Sequence, residues 1–196
     1  MAVTMEEAAA AGGQVRLVQD ATSVDRQAIH EELERARTTF HRLLDGATDA
    51  DLRRRTEGTR WTNEQLLFHM LFGYILIRPL LALLRVFGRL PTGASRAFAR
   101  ILNAATKPFD VVNYLGPVGA AGIIGRRRMG ATFDHMIAWL HRRLDAEREA
   151  DLALAMDYPT RWDPFFQDVM TITDLYRYPT QHFDFHHRQL TLTEDR

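Results

Sequence analysis

The run LLFHMLFGYILIRPLLALL, from Leu66 to Leu84, is apolar almost without a break, and a chain carrying it must hide it in one of two ways. About 20 apolar residues in a helix are enough to cross the hydrocarbon of a bilayer. The alternative is a central core helix, apolar all round because other helices surround it. The interruptions favour the second. Arg78 in the middle of a span would cost roughly 2.5–3.5 kcal/mol on the insertion scale. Pro79 removes a backbone hydrogen bond in mid-segment. The expectation is a buried bundle helix with no integral membrane span, kinked at Pro79 or restarting there. A membrane-peripheral or dimer-interface surface is the remaining use of so much apolar area.

A central helix needs partners, and the flanking sequence supplies them. After Ser23, the residues Ile29, Leu33, Ala36, Phe40, Leu43 and Leu44 recur at spacings of three and four up to Gly46, which is the stripe of an amphipathic helix. Thr62-Asn-Glu-Gln65 reads as a capping box that opens the apolar helix, with Trp61 placed as the preceding staple residue. A third helix spans about Arg126 to Glu149, with Phe133, Met136, Ile137, Leu140 and Leu144 on one face. A fourth begins near Thr171-Ile-Thr-Asp174 and continues past Pro179 to about Leu192. Four long helices, no convincing strand and no repeat predict an all-α fold, an antiparallel four-helix bundle. Residues 1–22 are expected to be a loose leading segment, and 23–196 one domain.

Between helices two and three lies an insertion, Leu90 to Gly125. A short helix is expected after Ser95, then a glycine-containing loop through LGPVGAAGIIG. Its glycines, at 116, 119, 122 and 125, do not form a dinucleotide fingerprint, and no Lys-Ser/Thr pair follows as in a phosphate loop. A second turn-rich segment, Asp157 to Phe166, joins helices three and four.

Composition narrows the chemistry. Formal net charge is +0, so no overall field favours nucleic acid, and the Arg126–Arg128 run reads as solvated surface. The Ala/Gly-rich, acidic start lacks a secretory h-region, which makes a cytoplasmic protein the expectation. Cysteine is absent, so disulfides, thiolate ligands and a cysteine nucleophile are all excluded. A metal would have to be held by His, Asp or Glu.

Among the eight histidines, His182 and His186 stand one turn apart. At about 100° per residue they lie about 40° from each other, with Gln189 about 20° to the other side of His182. Such an i, i+4 pair can chelate one divalent ion. His69 is the odd polar residue of the apolar helix, and if helices two and four face each other the three imidazoles converge inside the bundle. Taken singly, each of the three is also an ordinary core histidine. His30, His41, His135, His141 and His187 are expected at surface or boundary positions. Asp163 and Asp184 are candidate acid/base groups, but surface or capping roles are the expectation, with Asp184 pointing away from His182 at about 200° on the same wheel.

Trp61-Thr-Asn-Glu-Gln-Leu-Leu-Phe-His69 and His182-x-x-x-His186-x-x-Gln189-Leu190, in that order, resemble the DinB-like superfamily of metal-binding helical bundles. The resemblance extends over about residues 23–192. It implies that His69, His182 and His186 hold a divalent transition metal, nickel, zinc, manganese or iron, with Gln189 as a supporting residue behind them. Three protein ligands leave a coordination position open, as in catalytic sites. Some members transfer low-molecular-weight thiols of the mycothiol or bacillithiol kind, so the resemblance implies a metal-dependent thiol S-transferase, or a hydrolase in which hydroxide attacks instead, acting on a small-molecule substrate. A homodimer is expected as well. The alternative on the same bundle is a non-catalytic small-molecule binding or dimeric interaction protein.

Overall fold

The computed structural model describes the backbone of residues 5–192 and the side chains of residues 26–192 apart from Thr92. The expected loose segment, 1–22, therefore falls on side chains outside the described residues. The chain is mostly helical, as an all-α fold requires. In order it forms α1 (Met5–Gly46), α2 (Asp49–Arg53), α3 (Asn63–Phe87), α4 (Thr92–Ala104), α5 (Thr106–Asp145), α6 (Glu149–Leu152), β1 (Ala155–Asp157), β2 (Val169–Thr171) and α7 (Ile172–His187).

Helix α3 sits at the centre, packed on α5 and α7, while α1 packs on the other sides of the same two helices. The stripe expected of α1 is buried through Ile29, Leu33, Ala36, Phe40 and Leu44. One aromatic ring from each long helix meets at the middle of the core. Phe40 stacks on Phe133 with centroids 4.3 Å apart, Tyr74 meets Phe133 edge-on at 4.7 Å, and Phe183 closes the group at 6.1 Å from Phe133. The Tyr74 hydroxyl shares a hydrogen bond with Thr180 at 3.1 Å, so its polar atom is not stranded. The buried Glu147 carboxylate takes an ion pair from Arg85 and accepts from the Tyr176 hydroxyl at 2.9 Å. A buried charge without such partners would be strongly destabilising.

The start of α3 is set by the expected box: the Thr62 side chain accepts from the Gln65 backbone N–H while Gln65 Oε1 accepts from the Thr62 N–H. The helix continues through the exposed Pro79 to Phe87, and no new segment begins there. By length and hydropathy α3 could cross a membrane, and about half of its most apolar window, 56%, is buried by the rest of the chain. Its two apolar faces have separate tasks. Leu66, Met70, Tyr74, Ile77, Leu81 and Leu84 enter the core, while Phe72, Leu76, Leu80 and Leu83, again at helical spacing, line a cavity.

Three expectations change. First, the insertion is a helical hairpin, not a helix followed by a loop: α4 turns directly into α5, and the LGPVGAAGIIG segment is helical. Only Gly125 breaks α5, at φ 67° and ψ 162°, a region essentially restricted to glycine. Second, two short strands exist. β1 and β2 pair antiparallel, with Met156 opposite Met170, and close the neck of the turn-rich segment between them. Strands of three residues carry too little alternation to be seen as a period-2 pattern. Third, α7 ends at His187 and not near Leu192. The tail folds back: the Glu57 N–H donates to the Gln189 carbonyl at 2.9 Å, and the Thr191 N–H donates to Asn63 Oδ1 at 3.0 Å.

Candidate metal centre

The box at Thr62 fixes the phase of α3, and His69 follows less than two turns later on the side facing α7. Helix α7 is held by its own box, Thr171 with Asp174, and presents His182 and His186 one turn apart. The three rings converge, with centroids 4.5–4.8 Å from one another. One nitrogen of each ring lies within 4.8 Å of the others. The His69 and His182 Nε2 atoms are 3.1 Å apart. Two nitrogens bound to one ion at about 2.0–2.1 Å, at octahedral to tetrahedral angles, stand about 2.8–3.4 Å apart.

The third imidazole is oriented from behind. His186 Nδ1 lies 2.7 Å from Gln189 Oε1, an acceptor, so Nδ1 carries the proton and Nε2 keeps its lone pair. Gln189 thus stands behind His186, and metal-binding histidines are commonly held in this way. His69 Nδ1 and His182 Nδ1 are buried with no hydrogen-bond partner among the described residues. Burial pushes the His69 pKa down to about 3, helped by neighbouring His186. Burial also holds His182 well below the usual range, with His69 and His186 adding to the effect. His186 is lowered by burial against an opposing hydrogen bond from Gln189. All three rings are therefore neutral near pH 7, the form that can donate a lone pair to an ion.

Close approach of α3 and α7 at this point depends on Gly73. A Cβ there would lie 2.9 Å from His182 Nδ1, so the absence of a side chain one turn after His69 makes room for the opposite ring. Trp61 lies over the other side of His69, ring centroids 4.5 Å apart, and its Nε1–H donates to the Tyr114 carbonyl of α5 at 3.3 Å.

Asp163 is placed differently from the surface role expected of it. It does cap its own turn, its Oδ1 accepting the Phe165 N–H at 2.9 Å. Yet its Oδ2 accepts from the Tyr178 hydroxyl at 2.8 Å and lies 3.8 Å from His182 Nε2. Burial raises its pKa, against those two hydrogen bonds. Asp184 points away as expected, bound to both terminal nitrogens of Arg35 at 2.9 and 2.8 Å. The remaining histidines stand apart from the cluster. His30 and His141 face each other across α1 and α5, their Nδ1 atoms 2.5 Å apart, and His41 meets Asp134 at 2.8 Å on the same seam. His135 is exposed, and His187 lies half-buried beside Phe183. Arg126 reaches Asp49 at 3.3 Å, and Arg127 and Arg128 are exposed.

Beside His69 and His182 opens a cavity of about 190 Å³. Its floor is the second apolar face of α3, and its roof comes from the insertion through Phe98, Leu102 and Phe109. Trp162 locks roof to wall: its ring stacks on Phe109 at 4.1 Å and its Nε1–H donates to the Leu102 carbonyl at 2.7 Å. The role of Gly73, the approach of Asp163 to His182 and this cavity are not legible in the sequence. A glycine one turn after His69 is the available signal for the first, and the cavity's wall residues outside α3 follow no single period.

Searches of curated proteins and of solved structures gave no match. A family model described as the DinB superfamily matches residues 32–190, which include α3, α7 and all three converging histidines. That match takes in most of the 196 residues, and the chain belongs to the DinB superfamily.

Proposed function

We propose that this protein is a metal-dependent enzyme on an antiparallel four-helix bundle formed by α1, α3, the second part of α5 and α7. His69, His182 and His186 hold a divalent transition ion, zinc, nickel, manganese or iron. The observation that carries this reading is the convergence of three neutral ring nitrogens, two of them 3.1 Å apart, with the third fixed by Gln189. A bound ion supplies Lewis acidity at an open position, where it lowers the pKa of water or deprotonates a thiol. The chain's own groups do the rest. Gln189 holds His186 in one tautomer, Trp61 and the apolar walls keep bulk water from the rings, and Asp163 presents a hydrogen-bonded carboxyl on the cavity side of His182.

The reaction we infer is transfer of a low-molecular-weight thiol, of the mycothiol or bacillithiol kind, to a small electrophile. No cysteine exists in the chain, so the thiol must come from outside. The test is elemental analysis of protein purified without added metal, alongside thiol-dependent turnover of a model electrophile. About one ion per chain is expected in the wild type, with both metal and turnover lost in folded His182→Ala. Unchanged turnover in a variant lacking all three histidines overturns the enzyme.

A second reading, a non-catalytic dimeric interaction protein, is favoured by one feature of the insertion. Val111, Val112, Leu115 and Val118 are exposed together along the first part of α5. Contiguous exposed apolar surface marks interaction sites. We place a second copy of the chain there in either reading, as a homodimer in the cytoplasm.

A further inference from the structure

The cavity beside the triad has walls that are nearly all carbon, and besides the Nδ1 atoms of His69 and His182 one more buried polar atom among its lining residues has no partner. The Tyr158 side chain is buried, 3% exposed, and lines the cavity. Its ring is fixed edge-on against Phe166 at 5.2 Å. Its hydroxyl has no hydrogen-bond partner among the described residues. Burial pushes its pKa up, so the group stays protonated and remains a donor. A buried hydroxyl with no acceptor costs about 1–3 kcal/mol, and such an orphan calls for an explanation. The Tyr178 hydroxyl, on the same cavity, is already committed to Asp163. Of the two tyrosine hydroxyls, Tyr158 is thus the one without an acceptor, and outside the histidine cluster it is the lining donor that burial leaves unmatched.

Size and wall chemistry restrict what could accept from it. A dry cavity of about 150 Å³ lined by Leu, Ile and Phe takes up benzene. The volume here, about 190 Å³, admits one such ring with a small substituent. Phe72, Phe98, Phe109, Trp162 and Phe166 offer rings to it from four separate segments. Flat partners gain offset or edge-to-face contacts from such walls that a puckered ring does not. An ionised ligand would leave its charge facing carbon.

We propose that the cavity is a binding subsite for an uncharged, single-ring aromatic group carrying one oxygen acceptor, which takes the hydrogen bond of the Tyr158 hydroxyl. The ring lies between the α3 floor and the insertion roof, with its substituent reaching toward His69 and His182. Placed against the metal-centre reading, on which this orientation rests, the subsite defines the substrate as an aromatic electrophile. Selection of the ring belongs to the insertion and to Tyr158, and reactivity belongs to the histidines.

Calorimetric titration of the full chain with four probes tests it: acetophenone, toluene, cyclohexyl methyl ketone and benzoate. Acetophenone is expected to bind about tenfold more tightly than toluene, the worth of one hydrogen bond, and more tightly than the cyclohexyl ketone. Benzoate is expected to bind at least tenfold more weakly than acetophenone. Tyr158→Phe should remove the preference over toluene while leaving toluene binding intact, and Leu102→Trp, which fills the roof, should abolish binding of both. Equal affinity for acetophenone in wild type and Tyr158→Phe overturns the proposal, as does equal binding of the two ketones. Each titration is run before and after dialysis against a chelator. Acetophenone binding that persists in protein shown to hold no metal supports the subsite though the metal centre fails. A metal-loaded protein that does not bind acetophenone overturns the subsite and leaves the metal centre standing.

Discussion

Single atoms decide how tightly α3 and α7 can close on the histidines. Gly73→Ala would gain about 1 kcal/mol of helix propensity. It would also press a methyl group to 2.9 Å from His182 Nδ1, on a ring that is fully enclosed and cannot swing away. Metal affinity is therefore expected to fall by about 10–100-fold with helicity retained, as measured by chelator competition and circular dichroism. Gln189→Leu removes the acceptor that holds His186 Nδ1, and a drop of the same order is expected in the same competition. Acid should act through the same rings. The folded-state pKa of His69, about 3, lies below its unfolded value of 6.5, so the unfolded chain binds the proton first. Chelated protein is expected to lose stability as pH falls below 6.5 and on toward about 3, by up to about 1.4 kcal/mol per pH unit for each histidine so lowered. Urea unfolding of wild type and His69→Leu at pH 7.5 and 5 measures it, the variant showing the smaller decline. The three histidines were legible because helical spacing and one polar break in an apolar run are local signals. Asp163 was not, because its approach to His182 is made by a turn whose path no period records.

At the scale of elements, the capping box at Thr62 carries its information in four residues and is readable for that reason. Thr62→Ala is expected to lower stability by about 1 kcal/mol in urea unfolding, since the Gln65 N–H loses its acceptor at the head of α3. The insertion was misread by the opposite logic. Gly116, Gly119 and Gly122 weaken a helix by about 1 kcal/mol each relative to alanine, and the sequence therefore looked like a loop. Packing overrides that cost: Pro117 and Ala121 are buried, and the segment stays helical until Gly125. The real break is the one glycine whose backbone no other residue tolerates. Gly125→Ala is expected to cost about 1–3 kcal/mol, more than Gly119→Ala, where an added Cβ meets open space and the substitution should stabilise; midpoints of urea unfolding separate the two.

Across the whole molecule, helix order and the burial of α3 followed from periodicity, whereas the covering of the cavity depended on contacts between segments far apart in sequence, such as Trp162 with Leu102. The exposed face at Val111, Leu115 and Val118 belongs to this scale too. If a second copy covers it, Val111→Glu with Leu115→Glu converts the dimer to a monomer in sedimentation equilibrium, with metal content unchanged. The Gly125 hinge has a consequence of another kind. It lets residues 92–124 enter and leave the histidine-bearing framework through two turns, one after Leu90 and one at Gly125, without either turn touching the converging rings. Lengthening, shortening or rewriting that segment would therefore change the roof, and with it the choice of guest, before it disturbed α3 and α7, from which all three histidines come; the tie from Trp61 to Tyr114 is the point such a change would have to keep.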